Sequence, residues 1–99
     1  MLFAFMLFDR PGAAALRAEV RLEHRAYLAG AAERMAFAGP LVDDDDAAIG
    51  SLLVIDFADR AAALAWLQDE PFTRAGLYAT RQVQAFRNLW PQKAGFAES

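Results

Sequence analysis

The sequence predicts one α+β domain in which the elements follow the order strand, helix, strand, strand, helix, strand. Four short runs, residues 2–8, 35–42, 51–57 and 77–87, are either continuously apolar or alternate between apolar and polar as strands do. Two longer runs between them repeat their apolar residues every three or four positions, which is the helical period. Pro-Gly, Gly-Pro and Asp-rich segments punctuate the series. A length of 99 residues suits a single domain, and 57% hydrophobic with 23% charged residues is the balance of a folded globule.

The first strand, residues 2–8, is continuous in apolar character, rich in aromatics and closed by Asp9-Arg10-Pro11-Gly12. That run is too short to span a membrane and carries no basic leader, so the expectation is a cytoplasmic protein. The first helix runs from Ala13 to Arg34, with Leu16, Val20, Tyr27, Leu28 and Ala31 on one face and Gly30 weakening its last turns. "MAFAGPLV", residues 35–42, is the second strand, and Pro40 puts it at a sheet edge because proline donates no ladder hydrogen bond. Asp43 to Asp46 form a polar turn, after which "SLLVIDF", residues 51–57, completes a hairpin. Asp59 caps the second helix through "RAAALAWLQDE", where Ala63, Leu64 and Leu67 share a face and Pro71 ends the element. Gly76 resets the backbone before the fourth strand, residues 77–87. The domain is therefore placed at residues 1–90, with 91–99 as a flexible C-terminal tail.

The order βαββαβ is that of a ferredoxin-like fold, a four-stranded antiparallel sheet with two helices on one face. The other face then lies bare. Yet the first strand is apolar on both sides, with Phe3, Phe5 and Leu7 opposing Leu2, Ala4, Met6 and Phe8, and the third strand repeats the pattern. Monomers rarely leave apolar patches beyond ~300–600 Å² in water, so the sequence predicts a homodimer packed sheet to sheet, which higher assembly could extend.

Composition excludes several chemistries. The net charge is −3, and although Arg10, Arg17, Arg21, Arg25 and Arg34 gather near the first helix, acidic residues interleave with them, so nucleic acid is not an expected partner. Absence of cysteine removes disulfides, thiolate nucleophiles and cysteine-ligated metals, and a single histidine cannot build a zinc or non-haem iron site. The Asp43–Asp46 run lacks the glycine and distal glutamate of a calcium loop and reads as a solvated turn, so neither metal nor cofactor is expected. Ser51 has no GxSxG elbow, and no glycine-rich phosphate loop is present. Trp66, Trp90 and Phe72 are read as core or interface, and a chain this short is not expected to enclose a large cavity.

His24 falls at about 80° from Leu16 on the helical wheel, inside the apolar stripe. An inward imidazole needs partners for its ring nitrogens. Two roles meet that need: a structural histidine bonded to a carbonyl or carboxylate, or a general acid–base whose tautomer is fixed by a carboxylate while the other nitrogen faces a pocket. Asp9 is the candidate carboxylate by position, since it ends the strand against which the helix packs; it also suits a turn-initiating aspartate.

Asp9 at the end of the first strand, "RLEHRAYL", "AGPLVDDD", "IGSLLV", "EPF" and "AGLY", in this order and spacing, resemble the YCII-related (YciI-like) family of the dimeric α+β barrel superfamily from residue 2 to about residue 87. The resemblance implies that His24 and Asp9 are the catalytic pair, in a pocket to which Pro40, Ser51 and Phe72 contribute. Relatives usually carry Asp-Pro-Phe or Asp-Pro-Tyr where this chain has Glu70-Pro71-Phe72; if that position held the true partner, Glu70 would have to reach one methylene further. A Gly-Arg pair of the family is here Glu33-Arg34. The implied function is metal-free chemistry on a small cyclic or aromatic metabolite, of lyase (dehydrochlorinase) or isomerase type. The alternative is a non-catalytic dimeric module that binds a metabolite or a partner protein.

Overall fold

The computed structural model describes residues 1–90. The strands β1 (Leu2–Asp9), β2 (Met35–Val42), β3 (Ala48–Asp56) and β4 (Tyr78–Phe86) form one antiparallel sheet in the order β2-β3-β1-β4, and α1 (Ala14–Ala29), α2 (Arg60–Gln68) and the short α3 (Pro71–Arg74) cover one face. This is the ferredoxin-like arrangement the element order implies, with β2 at an edge as Pro40 requires.

The two-residue period of β1 turns Phe3, Phe5 and Leu7 toward the helices, and the register sets Phe3 opposite Ile55 and Phe5 between Leu53 and Val83. All of these side chains are buried. Trp66 of α2 closes the layer, its ring tilted against Phe5 at 5.5 Å and Phe57 at 5.7 Å. Each large side chain so buried contributes about 1.5–3 kcal/mol, which makes this cluster the main source of stability.

Element ends differ from expectation in three places, each for a local reason. α1 stops at Ala29 and a single 3-10 turn, Ala32–Arg34, carries the chain into β2, because Gly30 relaxes the helix and Ala31 is drawn into the core. β3 begins at Ala48 rather than Ser51: the Asp43 side chain accepts hydrogen bonds from the N–H groups of Asp45 (2.9 Å) and Ala47 (3.0 Å), tightening the turn so that pairing starts at Val42 and Ala48. α2 begins as read, with Asp59 accepting from the Ala62 N–H at 2.8 Å, but it ends at Gln68. Pro71 does not terminate α2; it opens α3, where its missing N–H leaves no helical bond unmade.

On the helix-free face Leu2, Ala4 and Leu52 are partly covered, while Met6, Phe8, Phe37 and Phe86 remain 39–41% exposed. Trp66 is a core residue as expected, whereas Trp90 is 85% exposed and belongs to no core. No helix among the described residues is long and apolar enough to cross a membrane. The expected tail, residues 91–99, lies outside the described residues.

Candidate active site

The apolar stripe of α1 turns His24 inward, and it is the one buried residue of that helix. Its Nδ1 is hydrogen-bonded to Oε1 of Glu70, whose side chain has no exposure at all. Glu70 is placed by the start of α3: it is the N-cap, and its Oε2 accepts from the Thr73 N–H at 3.1 Å. One oxygen is thus fixed by the helix end and the other is left for α1. Phe72, two residues further on and fully buried, stacks on the imidazole with centroids 4.0 Å apart and planes at 17°.

Asp9 is held elsewhere. Arg17, in the first turn of α1, donates from Nε to Asp9 Oδ2 at 2.6 Å and from Nη2 to Asp9 Oδ1 at 3.0 Å, a bidentate pair. The same Nη2 donates to the Ser51 hydroxyl at 3.1 Å, and the guanidinium lies 4.7 Å from the centre of the Phe72 ring. The expected His24–Asp9 pair is therefore corrected to His24–Glu70. The reason is helical rise: His24 stands seven residues beyond Arg17, about 10 Å along the axis, so the end of β1 meets Arg17 and α3 meets His24.

Between α1 and the β2–β3 hairpin lies a cavity of about 540 Å³ that opens to solvent. It exists because the facing walls are small: Ala14 and Ala18 on the helix, Ala38, Gly39, Pro40 and Ala48 on the hairpin. The cavity is an open cleft, in keeping with a chain too short to enclose a large one, and it still gives space for a ligand. His24, Ser51, Pro40 and Phe72 line it together, while Asp9 and Glu70 stand behind the wall and touch it through Arg17 and His24.

Four further residues belong here to which the sequence alone assigns no role in the site. Arg17 ties Asp9, Ser51 and Phe72 into one unit. Arg21 and Arg25, one and two turns on from Arg17, also line the cavity. Tyr78 stands edge-on to Phe72 at 6.1 Å, and its hydroxyl is buried without a hydrogen-bond partner. Burial, reinforced by the Glu70 charge, pushes the Tyr78 phenol well above the ordinary tyrosine range, so this group stays protonated.

Residues 1–87 match the YCII-related domain family. An uncharacterized protein of Haemophilus influenzae is 30% identical over 98 residues, covering 91% of this chain and all of the relative. Among solved structures, the 5-chloro-2-hydroxyhydroquinone dehydrochlorinase of Burkholderia phenoliruptrix, in complex with 2,5-dihydroxybenzoquinone, superposes with a TM-score of 0.83 at 29% identity, over 88% of this chain and 94% of that one. An antibiotic biosynthesis monooxygenase shares the fold alone, with a TM-score of 0.55 at 19% identity over 90% of this chain and 99% of that one. The match from the first strand to the end of the fourth, on a ferredoxin-like sheet, places this chain in the YCII-related domain family.

Proposed function

We propose that the protein is a metal-free, lyase-like enzyme acting on a small cyclic or aromatic metabolite, with His24 as the acid–base and Glu70 as the group that orients it. The observation that carries this reading is the pairing of His24 Nδ1 with a fully buried carboxylate at the wall of a ligand-sized cavity. A carboxylate accepts, so Nδ1 donates, and Nε2 is the nitrogen left with a lone pair. In an elimination, Nε2 takes a proton from the substrate; the electron pair of that bond becomes a π bond as the leaving group departs with its own bonding pair. Glu70 compensates the imidazolium formed in that step. Ser51 and Pro40 line the cavity on the hairpin side, and Phe72 backs the imidazole. The dehydrochlorinase with which the fold superposes supports the reaction type.

The same proposal includes a homodimer through the helix-free sheet face. Met6, Phe8, Phe37 and Phe86 are each about two-fifths exposed on that face, a patch whose cost in water falls when a second copy covers it.

The test is chloride release from 5-chloro-2-hydroxyhydroquinone by the wild type, His24→Gln and Glu70→Gln. The expected result is turnover that drops by about 10²–10⁴ in His24→Gln. Turnover that survives His24→Gln unchanged would overturn the mechanism, and tight binding of such compounds with no turnover at all would favour a binding module.

A further inference from the structure

The cavity is basic in a protein that is not. The chain carries 13 acidic and 10 basic side chains, yet Arg17, Arg21 and Arg25 line the cavity and no Asp or Glu does. Their spacing of four residues puts all three on one side of α1. Arg17 is neutralised by Asp9. Arg21 and Arg25 have no carboxylate within ion-pair distance among the described residues. Two positive charges without an ion pair therefore border the space a ligand would fill, both on solvent-exposed residues of α1.

The opposite wall points the same way. The Ser51 hydroxyl, on a residue only 2% exposed, accepts from Arg17 and lies beside the buried, unpartnered hydroxyl of Tyr78. Tyr78 remains protonated and is thus a donor in search of an acceptor. With Arg17 on one lone pair of Ser51 and Tyr78 available to the other, the one hydrogen of Ser51 is left for the cavity. Such a serine binds an oxygen that accepts.

Resting on the reading of this cavity as the substrate site, we infer that its ligand is an organic anion, a ring bearing a carboxylate, enolate or phenolate oxygen, which Ser51 binds directly and Arg21 and Arg25 select by charge. His24 then works on a substrate already ionised at its oxygen, and Tyr78 acts as a positioning residue for Ser51.

The experiment is isothermal calorimetry with benzoate and its neutral isostere benzamide, on the wild type, on the double variant Arg21→Gln/Arg25→Gln, and on Tyr78→Phe. Benzoate is expected to bind at least about tenfold more tightly than benzamide, as one charge-assisted hydrogen bond allows. That preference should shrink with added salt and disappear in the double variant. In Tyr78→Phe benzoate should weaken while its salt dependence stays, since the arginines are untouched. Equal affinity for the two probes, a preference that survives the double variant, or binding of neither probe would overturn the inference. The reading of His24 is judged separately: benzoate preference combined with turnover that is insensitive to His24→Gln would leave an anion site without the proposed acid–base.

Discussion

Replacing Glu70 separates its two duties, because one oxygen caps α3 and the other holds His24. Glu70→Ala removes both. Loss of an N-cap costs ~1 kcal/mol, and loss of a buried hydrogen bond involving a charged group costs ~1.5–3 kcal/mol, with the His24 Nδ1 left without a partner. The expected destabilisation is about 3 kcal/mol, or on the order of 15 °C in Tm for a domain of this length. Glu70→Gln keeps the shape. Its amide oxygen can stay on the Thr73 N–H, and its NH₂ then faces Nδ1, which must give up its proton to accept. The expected cost is below ~1.5 kcal/mol, with the proton moved to Nε2 and the base lost. Urea denaturation at one fixed protein concentration, needed because assembly shifts apparent stability, checks both values. A glutamine variant as unstable as the alanine variant, or an alanine variant within ~1 kcal/mol of wild type, would refute the division of labour.

Tyr78→Phe removes a buried hydroxyl that lies beside Ser51, so stability should stay within ~1 kcal/mol of wild type. The folded protein holds the Tyr78 proton more tightly than the unfolded chain does. Stability from this group is therefore complete below about pH 10 and falls as pH rises beyond it, and alkaline unfolding followed by circular dichroism should be shallower in the variant. Arg17→Lys keeps the charge but not the fork that grips Asp9 and reaches Ser51; a loss of about 1–2 kcal/mol in chemical denaturation is expected, and an unchanged midpoint would contradict the geometry. Phe8→Glu places a charge on the helix-free sheet face, 41% exposed in the single chain. Sedimentation should show wild-type dimers and variant monomers, and a monomeric wild type at micromolar concentration would remove the proposed interface.

Periodicity made most of the fold legible. β1 and β2 fall within a residue of where their apolar runs end, since a continuous run closed by Pro-Gly or flanked by Gly-Pro leaves little freedom. The start of β3 was hidden because Ala48 and Gly50 carry no strand signal of their own; the side-chain turn at Asp43 sets it. α3 was hidden by length, as four residues show no period, although Pro71 at its first position is a helix-start pattern that could have marked it. The candidate site divides along the same line. His24 was visible as a polar residue inside an apolar stripe, and Glu70 was already the alternative partner. Asp9 attracted the first assignment because strand-end position says nothing of axial rise along α1. Arg17 and Tyr78 were opaque: an arginine near a helix start and a tyrosine in a half-exposed strand acquire their meaning from Ser51 and Phe72, which are 34 residues from Arg17 in one case and brought in by α3 in the other.

Because the chain has one histidine, a long-range proton–nitrogen NMR correlation reads the protonation of its two ring nitrogens without ambiguity. With the ring neutral, the Nδ1 of His24 should carry the proton and Nε2 should appear as an unprotonated nitrogen that shifts when benzoate occupies the cavity; in Glu70→Gln the assignment should reverse. A wild-type ring protonated at Nε2 would mean that the buried carboxylate does not present His24 to the cavity as a base, and the acid–base account would fall.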